Sequence, residues 1–137
     1  MKLLFALLIF ATSSAFAHGE DKLGPHGGFV RMPGGFHTEL VPQGKSALKV
    51  YLLDIKWENP SVKNSDLKIK YIGKSTADAD CKIQRDFYLC RFPKAVNLTE
   101  KGVLKVFAQR EQQKGMEASY PLPFKLEIID DEHGNHH

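Results

Sequence analysis

The dominant period along the chain is two. Leu67, Ile69 and Tyr71 alternate with Lys68 and Lys70, the pattern of a strand with one face in a core and the other in water. Short runs at 29–32, 36–41, 47–57, 103–109 and 118–129 are rich in β-branched and aromatic residues. Each is bounded by glycine, proline or polar clusters, as strands are. Pro33-Gly34-Gly35 reads as a three-residue turn that pairs 31 with 37 and 27 with 41. Glu58-Asn59-Pro60-Ser61 breaks the longest strand. Residues 93–102 read as a loop with a short helical turn at 98–101, and 111–115 as a polar turn. Pro121 and Pro123 confine the start of the last strand to a sheet edge. No segment carries a sustained helical apolar stripe, and there is no internal repeat. Seven or eight short strands, with a turn signal every ten residues or so, predict an all-β fold: an immunoglobulin-like antiparallel β-sandwich.

The first 17 residues change the picture of where this sandwich works. Lys2 precedes an apolar run at 3–11, then Thr12-Ser13-Ser14 and Ala15-Phe16-Ala17. That order of charge, apolar core and small residues is a secretory signal peptide. The run is too short to span a bilayer, which takes roughly 20 residues, and no later segment is apolar enough to do so. The expected mature chain starts at His18 and has one domain at 28–129, an N-terminal arm at 18–27 that is expected to be flexible, and a polar, histidine-rich tail at 130–137. It is expected to be periplasmic or secreted, with no membrane insertion.

Charge adds little. The chain has 19 basic and 16 acidic residues, and the loss of Lys2 leaves a formal charge of +2. Lys49, Lys56, Lys68 and Lys70 are dispersed among apolar residues, as on solvated strand faces, so nothing points to nucleic acid. Asp78 and Asp80 lack the glycine and distal glutamate of a calcium loop and read as turn residues. Trp57, at a strand end, reads as core.

Cys81 and Cys90 form an even count in an exported chain, which favours a disulfide. A hairpin turning at Arg85-Asp86 pairs 84 with 87, 83 with 88, 82 with 89 and 81 with 90. The last is a non-hydrogen-bonded pair, where Cα atoms approach to about 4.5 Å, within reach of a bridge. The rival, a two-thiolate metal site, fits the eight-residue spacing poorly.

The candidate chemistry concerns metal. If cleavage follows Ala17, His18 becomes the first residue, and its α-amine and ring Nδ1 can chelate one ion. A second imidazole would complete a nitrogen set that suits tetragonal copper(II). Gly24-Pro25-His26-Gly27-Gly28 offers a second histidine in a loop whose glycines permit close backbone approach. In His37-Thr38-Glu39 the outer two residues project from one strand face, about 7 Å apart. They can share a metal or form a hydrogen-bonded core pair. A flat hairpin leaves His26 and His37 on the order of 16 Å apart. His18 and His26 are therefore easier to join, and His37 joins only if the arm folds back along the sheet. In the tail, His133, His136 and His137 stand beside Asp130, Asp131 and Glu132, a tract of the kind that holds divalent metals loosely.

Two stretches, GPHGGFVRMPGGFHTELV and LKVYLLDIKWENPSVKNSDLKIKYIG, resemble small periplasmic β-sandwich modules. Such modules accompany heavy-metal resistance systems and occur near the start of some cation-efflux adaptor proteins. The shared pattern is HGG, then histidine-x-glutamate, then VYLxD, and it covers residues 24–73. His26, Gly27, Gly28, His37, Glu39, Tyr51 and Asp54 match it; the cysteine hairpin and the YPLPF strand lie outside it. The first-residue histidine is also similar to that of periplasmic copper carriers of sandwich fold, which the remainder does not match. The resemblance implies metal handling rather than catalysis.

The sequence-based expectation is thus a periplasmic accessory protein that binds copper or zinc, or hands the ion over to a metal-efflux or metal-delivery protein. Its candidate ligands are His18, His26, His37, Glu39, His133, His136 and His137. The alternative is a non-metal interaction module of sandwich fold with incidental histidines. The chain carries no nucleophile elbow, no paired-carboxylate spacing and no zinc-protease motif, so no enzyme is expected.

Overall fold

The computed structural model describes residues 20–127. They form ten strands: β1 (Phe29–Arg31), β2 (His37–Pro42), β3 (Ala47–Leu53), β4 (Asp66–Ile72), β5 (Thr76–Asp78), β6 (Asp80–Gln84), β7 (Phe87–Arg91), β8 (Gly102–Arg110), β9 (Gln113–Lys114) and β10 (Ala118–Leu122). Two antiparallel sheets result, one in the order β1-β2-β3-β7-β6 and the other β10-β8-β4-β5, with β9 also on β8. The fold is an all-β sandwich.

The alternating residues read from the sequence build its core. Leu67, Ile69 and Tyr71 of β4 turn inward while Lys68 and Lys70 stay exposed. They meet Leu40, Leu48, Val50 and Leu52 from the first sheet and Leu104, Val106 and Tyr120 from the second in one cluster. Pro121 sits in β10, an edge strand, where its missing N–H costs no ladder bond. The cysteine hairpin has the expected register, with Gln84 opposite Phe87 and Cys81 opposite Cys90. Arg85, in the two-residue turn, takes a positive φ of 56°. Cys81 and Cys90 are disulfide-bonded, with Cα atoms 4.0 Å apart.

Four local expectations are corrected. The β1–β2 register is one step away from the turn at 33–35, because Arg31 pairs with Thr38 rather than with 37. The connection absorbs Phe36, which leaves the ladder and is fully buried in the core. The long strand at 47–57 stops at Leu53, because Asp54 turns the chain; its carboxylate accepts from the N–H groups of Lys56 and Glu58 (2.9 Å each). Residues 98–101 form no helix; Asn97 Oδ1 caps a turn by accepting from Thr99 N–H (3.0 Å). The last strand ends at Leu122 rather than 129. Two short strands also appear that the pattern did not show, β5 and β9. The pairing on β8 steps from Gln109–Lys114 to Val106–Ala118, a one-residue bulge between β9 and β10.

Candidate functional site

The first sheet is covered on both sides. In β2, Thr38 and Leu40 face the sandwich, while His37 and Glu39 face outward beside their partners Leu53 and Tyr51 of β3. Tyr51, Leu53 and Phe87 form a second, smaller cluster there, against which Trp57 and Leu89 pack. The arm folds back over this face. Its glycine loop closes on itself, with Gly27 N–H donating to Gly24 O (2.9 Å) and Gly24 N–H to Gly28 O (2.8 Å).

The loop wraps a carboxylate. Glu39 is fully buried. Its Oε2 accepts from the backbone N–H of His26 (2.8 Å) and of Gly28 (3.0 Å), and its Oε1 accepts from His26 Nδ1 (2.6 Å). Three hydrogen bonds satisfy a group that could not otherwise be buried. The approach requires glycine. A Cβ at Gly24 would collide with the Glu39 carboxylate, and one at Gly28 would lie 2.6 Å from the Leu40 carbonyl oxygen. The His26 ring lies flat on Tyr51, with centroids 3.6 Å apart and planes 3° from parallel. Burial, then the charges of Asp86 and Glu39, push the Tyr51 phenol up, which keeps it protonated. A shallow hollow beside His26 is lined by Lys49, Tyr51, Gln84, Arg85 and Asp86.

His37 is held differently. Its Nδ1 lies 3.0 Å from the carbonyl oxygen of Asp54. A carbonyl only accepts, so Nδ1 carries a hydrogen. The ring Nε2 is 3.9 Å from Glu20 Oε1 on the arm. Trp57 packs edge-on to the His37 ring at 5.7 Å, and Lys22 Nζ lies 5.6 Å from the Trp57 ring centroid. Trp57 is therefore a half-buried lid on the outer face rather than part of the main core. Asp54 also accepts from the Asn59 side chain (2.9 Å). Hydrogen bonds from Glu58 N–H and then from Asn59 hold its carboxyl below the usual aspartate range.

Both ends of the described chain arrive at this edge. Glu127 N–H donates to Glu20 O (3.3 Å), and Glu127 Oε1 pairs with the buried Arg31 (3.2 Å).

The residues carrying the resemblance, His26, Gly27, Gly28, His37, Glu39, Tyr51 and Asp54, thus share one surface. His37 and Glu39 project from one face as expected, but they do not form the hydrogen-bonded pair considered for them; the partner of Glu39 is His26. The folded-back arm, not the hairpin register, produces that meeting. His18, His133, His136 and His137 lie outside the described residues. Among the described residues, no group of three or more histidine, cysteine, aspartate or glutamate side chains is placed to hold a metal ion. Glu20 and Trp57 were not singled out from sequence as part of the site. The signal available was the unbroken run Val50-Tyr51-Leu52-Leu53, which marks a strand buried on both faces and so requires a cover.

Comparison with known protein families, characterised proteins and solved structures finds no match for this chain. The disulfide indicates an oxidising compartment outside the cytoplasm. Among the described residues, no helix is long and apolar enough to cross a membrane.

Proposed function

We propose that this is a periplasmic metal-binding accessory protein that takes up copper or zinc and holds the ion or passes it to an efflux or delivery partner. The observation that carries this reading is shared by both described histidines. Each has Nδ1 committed to an oxygen acceptor, Glu39 for His26 and the Asp54 carbonyl for His37. In the neutral ring that bond fixes the tautomer and leaves Nε2 as the donor atom, as in histidines that ligate metals. The arrangement offers two imidazole nitrogens to an ion, and ligand exchange is the chemistry proposed for it. One observation favours the rival reading of an interaction module: Glu39 is fully satisfied by the arm and requires no ion. Calorimetric titration of the exported protein with Zn(II) and Cu(II) decides between them. Saturable binding that weakens in His26→Ala or His37→Asn supports metal handling. Absence of saturable binding by the wild type leaves the interaction module.

A further inference from the structure

Among the described residues, β6 is the most open sheet edge. The two sheets end in β1, β6, β10 and β5. β1 and β5 have three residues each, and β10 carries Pro121, which has no N–H to offer. β6 has five residues and no proline, and the Cys81–Cys90 bridge fixes it to β7. Its register shows which backbone groups are spare. Counted outward from the two-residue turn, Gln84 and Lys82 form hydrogen-bonded pairs with Phe87 and Leu89, and Ile83 and Cys81 form non-hydrogen-bonded pairs with Tyr88 and Cys90. The N–H and C=O groups of Cys81 and Ile83 therefore point away from β7, toward the open side. The Ile83 side chain is 59% exposed.

The second sheet leaves room beside this edge. Ala79 N–H still bonds Ile69 O of β4 (2.9 Å), and β6 then crosses to the first sheet. Where it parts from β4, a cleft opens that is lined by Lys68, Lys70, Ala79, Cys81 and Phe107. A second β6, running antiparallel and continuing the sheet across a two-fold axis, meets this edge in a register set by charge. Centred on Lys82, the pairing sets two lysines opposite each other. Centred on Ile83, it sets Asp80 opposite the partner's Asp86. Centred on Cys81, it sets Asp80 opposite the partner's Lys82, twice by symmetry, at the close non-hydrogen-bonded positions. Lys82 and Asp80 are free to turn toward a partner, because their side chains are 80% and 72% exposed. The same register lets Cys81 exchange both backbone bonds with the partner's Cys81. It also lays the partner's Ile83 opposite Ala79, a wall of the cleft.

We propose that β6 is a self-association edge: a second copy adds in the register centred on Cys81, and Ile83 of each copy enters the other's cleft. Charges on an edge strand deter unlike strands, and here they match the strand's own copy. The contact is isologous and closes as a dimer. Its ladder is short, which places it among weak, transient interfaces. The proposal is independent of the metal-binding reading.

Sedimentation velocity of the exported protein over a concentration series tests it, with EDTA present so that no shared ion joins the copies. A reversible monomer–dimer equilibrium is expected. Asp80→Lys and Lys82→Asp, both at exposed positions that do not endanger folding, should each weaken the dimer by about tenfold or more, since each turns two attractive pairs into repulsive ones. The double reversal should restore it to within about threefold. Ile83→Thr should weaken it by about threefold or more. Hydrogen exchange at the Cys81 and Ile83 amides should slow as concentration rises, while that at Lys82 stays constant. A monomer at the highest soluble concentration overturns the proposal, as does a dimer indifferent to both single reversals. Protected Cys81 and Ile83 amides in a dilute monomer would assign the edge to another segment of the chain and overturn it as well. A dimer lost in both single reversals and not regained in the double overturns the register. Unchanged association of Ile83→Thr overturns the cleft as the seat of that side chain.

Discussion

On β2, Thr38 and Leu40 point into the sandwich, and His37 and Glu39 point from the same strand toward the arm. All four are at most 3% exposed, yet the two sides are held by different physics. Inward, Leu40 joins a broad apolar cluster. The polar member there is met by another buried side chain: Thr38 Oγ1 bonds the Tyr120 hydroxyl (2.7 Å), which also donates to Thr38 O (2.9 Å). Burial pushes the Tyr120 phenol far up. Outward, burial depends on one loop placed by three hydrogen bonds to one carboxylate. The inner face is redundant and undirected. The outer face is directional and rests on few groups.

The largest effect expected is on the inner side. Leu40→Ala should cost about 2–5 kcal/mol through lost burial and a cavity, with the whole chain unfolding at lower denaturant. Loss of less than about 1 kcal/mol would mean that the inner cluster is looser than its full burial indicates. Glu39→Ala should follow, at about 3 kcal/mol, because the His26 and Gly28 N–H groups are left unsatisfied at about 1–3 kcal/mol each. Here the signature differs: hydrogen exchange should rise at residues 24–28 while β4 and β8 stay protected. Uniform loss of protection would show that the arm and the sandwich are one cooperative unit.

The turn at Asp54 tests the outer side by pH. Its carboxyl is held below the ordinary range, first by Glu58 N–H. A group with a lowered folded pKa contributes stability above its unfolded value and loses it as pH falls through the folded one. The turn should therefore hold at neutral pH and loosen below about pH 4, the unperturbed aspartate range, with Trp57 fluorescence reporting it. The same acid transition in Asp54→Asn would assign it to another group. The smallest effect belongs to Tyr88. Its hydroxyl is buried with no hydrogen-bond partner among the described residues, and burial, then the charge of Asp66, pushes its phenol up. Tyr88→Phe should be neutral or stabilising by about 1 kcal/mol; a clear loss by thermal melting would reveal a partner for that oxygen.

Local pattern determined the sandwich. Alternation in β4, the pairing of Cys81 with Cys90 around a two-residue turn, and Pro121 on an edge all follow from the period of two and from which backbone groups a residue can offer. The motif residues His26, His37 and Glu39 were legible as candidate ligands, with a plain loop for His26 and a hydrogen-bonded core pair for His37 and Glu39 as the alternatives. Their partners were not. Whether Glu39 meets His37 or His26 depends on the direction the arm takes after Gly28, and Phe36 leaving the ladder moved the register that sequence spacing had implied. Glu20 reaches His37 only because the arm runs back along β2, 17 residues from it in sequence, and it meets Glu127 only because both chain ends pass the same edge. Sequence period sets which face of a strand is apolar. What covers the other face is a long-range choice, made by whichever segment can satisfy its buried polar groups, and only the tertiary structure decided that it is the arm.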